Sequence, residues 1–346
     1  MLKSRKHINI PVFIPHLGCP NDCVFCNQRS ISGKIKFDPD SVIDDIEQVL
    51  STVKDNDLVE IAFFGGSFTG IDRSLMTYLL DIAQGFVNEG KVSSIRLSTR
   101  PDYITDEILT VLGRYSVKTI ELGIQSMDDS VLLASRRGHI AEQTKTACRL
   151  IKNAGFDLIG QMMIGLPQAN IESEKNTARE ICLMGADGAR IYPTVVFYET
   201  ELCKMAQNGD YVPLDIESAV FRTKEVLKIF NEYNVPCIRV GLCASENLSS
   251  DTAVYGGANH SAIGELAISE IFYEKIDEAF AMLKQQGKLS DRPTVFVPIG
   301  CMSKAIGQKR KNIIKICEKY SISNVKVVEK NSIIGYNILL NEFIKA

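Results

Sequence analysis

Gly18-Cys19-Pro20-Asn21-Asp22-Cys23-Val24-Phe25-Cys26 lies directly behind the short apolar run Ile8–Ile14, and its reading decides what this chain is. Three thiolates spaced Cys-x3-Cys-x2-Cys on one tight loop can ligate three irons of a cubane cluster and leave the fourth iron open. The chain has ten cysteines, and the other seven (Cys148, Cys182, Cys203, Cys237, Cys243, Cys301, Cys317) are scattered. In a reducing compartment, clustered cysteines point to metal and scattered ones to core packing. The competing ligand is zinc, which in structural sites takes four ligands, often as two Cys-x2-Cys pairs. No second pair exists, which leaves His16 as the nearby fourth candidate. A disulfide framework fails on compartment and on the odd count. Three unligated core thiols suit a loop beside Pro15, Gly18 and Pro20 poorly.

Outward from this loop, short β-like runs alternate with helical patterns. Strands are expected at Ile8–Ile14, Val59–Phe64, Ser94–Ser98, Thr119–Ile124, Asp157–Ile164 and Gly188–Tyr192. Helices are expected between them, the last covering Ile216–Asn231. Near-continuous apolar strands belong to a parallel sheet covered on both faces. Six such βα units predict a partial (βα)6 TIM-type barrel, short of the eight a full barrel needs. Pro236–Leu242 reads as one more strand, and Cys243–Gly257 as a polar loop. Beyond it, Ala262–Gln286 reads as a long helix. Thr294–Pro298, Ser303–Lys319, Val325–Glu329 and Ile333–Leu340 then form a small α/β extension. The expected division is a core over residues 1–240 and an extension over 241–346.

In a barrel of this kind the site gathers at the C-terminal ends of the strands. Strand two ends in Phe64-Gly65-Gly66-Ser67, where two glycines allow close backbone approach to a ligand. Strand three ends at Arg100, which can pair with a carboxylate on a ligand or with neighbouring Asp102 or Asp106. Strand four ends at Gln125, facing the site, and Arg136-Arg137-Gly138-His139 follows a short helix. Arg137 and His139 are candidates to contact an anionic ligand group. Strand five ends in Met162-Met163-Ile164-Gly165-Leu166, an apolar shelf wide enough for a flat ring. Strand six ends at Tyr192, whose phenol can donate a hydrogen bond or stack on a substrate. Gln125 and Tyr192 are the candidate catalytic residues.

The net charge of −3 excludes a wholesale basic surface for nucleic acid but allows a local patch. Lys304, Lys309, Arg310 and Lys311 form such a run, suited either to phosphates or to a solvated helix face. No aromatic residues interleave it, so base stacking there has no support. Gly256-Gly257 before the long helix can receive an anion, although a plain helix start capped by Asn259 or Ser261 is the simpler expectation. Cys243 and Cys301 are candidates to quench a radical near the barrel mouth, against the simpler role of core cysteine. No apolar stretch approaches a membrane span, and the amino-terminal segment lacks a cleavage site. A cytoplasmic location without membrane association is the expectation.

Cys-x3-Cys-x2-Cys with an aromatic before the third cysteine resembles the signature of the radical S-adenosylmethionine (SAM) superfamily. The resemblance covers roughly residues 7–240. It implies a [4Fe-4S] cluster on Cys19, Cys23 and Cys26, and SAM chelated at the open iron. It implies SAM contacts from Phe25, from Gly65-Gly66-Ser67, and from Gly165 and Leu166. Arg100, Gln125 and Arg137 complete the expected cofactor shell. Ser67 stands where the superfamily carries Glu, so a hydroxyl or backbone carbonyl would have to serve the SAM amino group. The implied chemistry is reductive cleavage of SAM to a 5′-deoxyadenosyl radical, fed by an electron donor such as flavodoxin or ferredoxin.

Taken together, Ser98–Asp102, Glu121–Ser126, Arg137-Gly138-His139, Met162-Met163, Leu166-Pro167 and Ile191–Thr194 resemble the radical SAM core of the Elongator catalytic subunit. That subunit modifies the tRNA wobble uridine, so tRNA or another RNA is the implied substrate class. Its longer gap between the first two cluster cysteines is not found here. Residues 241–346 do not match its acetyltransferase domain, so acetyl-CoA chemistry is not carried over. A weaker likeness is to oxygen-independent coproporphyrinogen oxidase. Two other readings remain open: a radical SAM enzyme acting on a small molecule or protein side chain, and a non-catalytic iron–sulfur or zinc protein that binds RNA.

Overall fold

The computed structural model describes residues 6–15, 17–19, 23–27, 37–54, 57–242 and 253–340. Seven strands hydrogen-bond in chain order, all parallel: β1 (His7–Phe13), β2 (Leu58–Phe64), β3 (Ser94–Thr99), β4 (Val117–Gln125), β5 (Asp157–Ile164), β6 (Gly188–Pro193) and, past the short β7 (Val195–Phe197), β8 (Cys237–Val240). The sheet curls into a half-barrel with helices on its outer face, as the apolar runs predict.

The crossover helices are α1 (Val42–Leu50), α2 (Arg73–Asn88), α3 (Asp106–Leu112), α4 (Asp129–Ala134), α5 (Ala141–Asn153), α6 (Ile171–Leu183), α7 (Glu201–Gln207) and α8 (Ile216–Glu232). Their starts are written in the sequence. Asp72, Thr105, Asp128, Asn170, Thr200 and Asp215 each accept from first-turn amides, satisfying donors that have no partner inside the helix. Sheet and helices bury one continuous core, with Ile10, Ile61, Leu97, Ile120, Met162 and Ile191 among its fully covered side chains.

α9 (Ile263–Gln285) joins this core to a second one. Ala267 and Ile271 pack on the barrel, whereas Phe272, Ile276, Phe280 and Leu283 pack on the C-terminal elements. Those are β10 (Thr294–Val297), α10 (Met302–Ile306), α11 (Lys311–Tyr320), β11 (Lys326–Glu329) and β12 (Leu339–Leu340), with strand order β11-β10-β12.

Several local expectations are corrected. Val254–Gly257, read as loop, is strand β9, antiparallel to β7. The single helix expected over Ser303–Lys319 is two, broken where Gly307, Lys309 and Arg310 all take positive φ. Buried Asn312 imposes the break, because its Nδ2 is held by Ser269 and Ala305. At the start of α9, neither Asn259 nor Ser261 is the cap; His260 Nδ1 accepts from Ala262 N at 3.1 Å. Cys301 packs on the C-terminal core, away from the barrel mouth. Cys243 and His16 lie outside the described residues.

Candidate active site

The cysteine loop is fastened at one end to the end of β2 and at the other to helices α4 and α7. Ile14 N donates to Phe64 O at 2.8 Å, and Ser67 N donates to Leu17 O at 3.0 Å. This apposition needs glycine, since a Cβ on Gly66 would fall 2.7 Å from Ile14 O and closer still to Leu17 O. At the other end, Val24 N donates to Ser135 O at 3.2 Å, and Leu202 N to Val24 O at 2.8 Å. Phe25 packs partly buried on the small cluster of Val24, Val196, Leu202, Cys203 and Tyr211. The three thiols are half-buried.

The Cys19 and Cys23 thiols have different surroundings. Cys19 Sγ lies 3.7 Å from Ser67 Oγ, so fully buried Ser67 presents its hydroxyl to that thiol. Cys23 Sγ lies 3.2 Å from Arg137 Nη1 and 3.9 Å from Arg100 Nη1. Among the described residues no three His, Cys, Asp or Glu side chains converge on a point that would hold a single ion. Ligands of a cubane attach to different irons and need not converge. Thiols strung along one loop, with guanidinium groups beside one of them, suit a thiolate-bound cluster carrying net negative charge.

Arg100 and Arg137 are both buried. Arg100 makes a two-pronged pair with Asp102 at 2.9 and 3.1 Å and donates to the Arg137 carbonyl. Arg137 Nη2 donates to Gly123 O at 2.7 Å. The pairing of Arg100 with Asp102 is therefore present, and it is partly buried. His139 sits behind this group with its side chain out of solvent contact, its Nδ1 4.0 Å from Asp102 Oδ1 and the Arg137 backbone beside the ring. Burial, with Arg137 nearby, pulls its pKa down to about 4, so the ring is neutral at physiological pH.

Gln125 closes β4 with φ of +65°, a conformation that costs a non-glycine residue strain and that clusters at functional sites. Its buried Oε1 has no partner among the described residues. Buried polar atoms are nearly always satisfied, so the orphan oxygen is one to which a ligand can donate.

Beneath the mouth runs a belt of buried charge that sequence reasoning did not assign. Arg96 on β3 bridges Glu60 on β2 and Glu121 on β4, at 2.9 Å to each. Arg190 on β6 reaches Glu121 at 2.7 Å, and Gln161 on β5 donates to it at 2.8 Å. Arg190 Nη1 also donates to Tyr192 Oη at 3.3 Å, placing the phenol at the top of the belt. Burial raises the Tyr192 pKa, so it stays protonated. Glu60, Arg96, Glu121 and Arg190, each flanked on both sides by an apolar residue inside its strand, were the available signal.

The turn after β5 is clamped from outside. Gly165 N donates to Glu174 Oε1 at 2.7 Å, and Gly165 O accepts from Tyr211 Oη at 2.6 Å. Arg222 pairs with both oxygens of Glu174, at 2.6 and 2.7 Å. Gly165 and Leu166 border a cavity of about 280 Å³ shared with Met205, Tyr211 and Leu214. The cysteines, Gln125 and Tyr192 do not line it.

The radical SAM superfamily model matches residues 13–181, and the Radical_SAM C-terminal domain model matches residues 186–273. A tRNA uridine(34) acetyltransferase of Methanocaldococcus infernus is 25% identical over 241 residues, covering 64% of this chain and 44% of that protein. Elongator complex protein 3 of Schizosaccharomyces pombe is 27% identical over 238 residues, covering 57% and 44%. The chain thus spans less than half the length of these relatives. Among solved structures, the archaeal Methanocaldococcus infernus Elp3 lacking its N-terminus matches with a TM-score of 0.61 at 21% identity, covering 84% of this chain and 65% of that one. Methylornithine synthase matches with a TM-score of 0.51 at 15% identity, covering 82% of each chain. Both structural likenesses are likenesses of fold.

Proposed function

The chain belongs to the radical SAM superfamily and is an enzyme of that superfamily; from this premise we propose that it modifies RNA, with tRNA as the foremost substrate class. The observation that carries the radical SAM reading of this site is Cys23 held beside two buried guanidiniums, with the Gln125 amide, whose Oε1 has no partner among the described residues, close to Arg137 across Gly123. The likeness to a tRNA uridine(34) acetyltransferase and to Elongator complex protein 3 supports the substrate class.

In this reading Cys19, Cys23 and Cys26 hold a [4Fe-4S] cluster. Phe25, Gly65, Gly66, Ser67, Arg100, Gln125, Arg137, Gly165 and Leu166 form the SAM shell. When bound, cluster and SAM together supply a carbon radical that takes hydrogen from an unreactive carbon. The protein binds, orients and excludes competing reactions. Gly66 lets the cysteine loop lie close against the end of β2, and Gln125 offers Oε1 as an acceptor. Tyr192 keeps its proton, and because its oxygen accepts from Arg190, the phenol hydrogen is left to donate toward the mouth. The buried belt below fixes these groups in place. The same reading keeps residues 1–240 as core and 241–346 as extension, with flavodoxin or ferredoxin as the class of electron donor.

The test is anaerobic reconstitution with iron and sulfide, reduction in the presence of SAM, and chromatography for 5′-deoxyadenosine. The wild type forms it, and the combined Cys19→Ala, Cys23→Ala, Cys26→Ala variant forms none. Modified-nucleoside profiles after gene deletion test the RNA assignment, and unchanged profiles overturn it. The net charge of −3 favours a second reading, a small-molecule or protein side-chain substrate, which that outcome would leave standing.

A further inference from the structure

We propose that Arg137, assisted by Arg100, is a positioning residue that sets the reduction potential of the cluster through its contact with Cys23. This rests on the reading that Cys19, Cys23 and Cys26 hold a [4Fe-4S] cluster.

The geometry is asymmetric among the thiols. Arg137 Nη1 stands 3.2 Å from Cys23 Sγ, whereas the neutral Ser67 hydroxyl stands 3.7 Å from Cys19 Sγ. Arg137 is 6% exposed, and its other terminal nitrogen is pinned to Gly123 O at 2.7 Å. The fork therefore has one orientation, fixed by β4. Arg100 stands behind it, 3.9 Å from the same sulfur. Asp102 takes two nitrogens of Arg100, and Arg137 is the nearer of the two cations at Cys23. Arg100 also donates to the Arg137 carbonyl, tying the two segments together.

Reduction adds an electron to a centre that already carries thiolate charge. An N–H donor and a buried cation at one sulfur stabilise the more negative state, and so raise the potential. In a site shielded from water that term is larger than at the surface. The role differs from binding the SAM carboxylate, because it acts before SAM arrives.

The test is a redox titration of the full chain, anaerobically reconstituted, without SAM, followed by electron paramagnetic resonance. Iron and sulfide per chain are measured first. Wild type, Arg137→Met, Arg137→Lys and the surface control Arg114→Met are compared. Arg137→Met is expected to shift the reduction equilibrium at least tenfold toward the oxidised state, about 59 mV for one electron. Arg137→Lys keeps the charge but loses the planar fork, and shifts less in the same direction. Arg114→Met matches the wild type. A fully loaded Arg137→Met cluster within twofold of the wild type overturns the proposal. If Arg137→Met does not load, Arg137→Lys decides, and a potential equal to the wild type's overturns it. A wild type that assembles no four-iron cluster overturns the underlying reading of the cysteines, which is a different failure.

Discussion

Glu121 Oε1 accepts from Arg190 Nη2 at 2.7 Å in the interior of the half-barrel, with no solvent contact at the carboxylate. The same oxygen takes Arg96 Nη1 at 2.9 Å, so one carboxylate joins β3, β4 and β6. Such a belt adds little net stability, because desolvation offsets most of the attraction. Breaking it is a different matter, since removal of the carboxylate leaves two guanidiniums buried. Glu121→Ala is expected to destabilise the chain by about 3–5 kcal/mol, read from urea unfolding. Glu121→Gln, which keeps an acceptor, costs less. Equal stability of both variants and the wild type would show that the belt is solvated in solution.

Gly66 and Gly65 make a paired prediction. A Cβ at Gly66 meets the backbone oxygens of Ile14 and Leu17, which lead into Cys19 and cannot move without moving the loop. A Cβ at Gly65 meets its nearest atoms at 3.5 Å, so Gly65→Ala carries only the strain of φ +91°, about 1–2 kcal/mol. Gly66→Ala is expected to lose most of its iron per chain on reconstitution, and Gly65→Ala to keep most of it. The reverse order would mean that the loop is not set by this contact.

His139 gives stability a pH dependence of known sign. Its folded pKa of about 4 lies below the ordinary value near 6.5. The unfolded chain therefore binds the proton first as pH falls. Stability from this group is complete above about pH 6.5 and is lost on acidification toward pH 4. Between pH 7.5 and 5 the loss is about 2 kcal/mol. Urea unfolding of His139→Phe at the two pH values should show a fall smaller than the wild type's by about that amount. Parallel falls in the two proteins would place a charged or solvated imidazole there.

The parallel strands were legible because strands covered on both faces must be almost wholly apolar, as Leu158–Ile164 shows. The cysteine loop was legible because its spacing and its place behind β1 are local facts. Long-range partners were not. Glu174 and Arg222 lie 48 residues apart, and nothing local in either marks a clamp on Gly165. The charges of Glu60, Arg96, Glu121 and Arg190 are visible inside apolar runs, but only the curl of the sheet brings them together. Lys309 and Arg310 favour helix by propensity, and the break there is imposed by Asn312 reaching across to Ser269. Val254–Gly257 reads as loop in the sequence because its two glycines mask its pairing with β7.

Gln125 separates strain from function. Asn tolerates positive φ better than Gln does, so Gln125→Asn is expected to leave urea stability unchanged or slightly higher. The shorter side chain withdraws by one methylene the amide whose buried oxygen has no partner among the described residues. Loss of one such hydrogen bond corresponds to about 1.4 kcal/mol, roughly a tenfold rise in the Kd for SAM by equilibrium dialysis on cluster-loaded protein. An unchanged Kd for SAM together with a reduced yield of modified RNA would assign the amide to the substrate instead. If SAM binding and RNA modification both stay at wild-type levels, the strained backbone at Gln125 serves only the turn into α4, and its place among the functional residues falls.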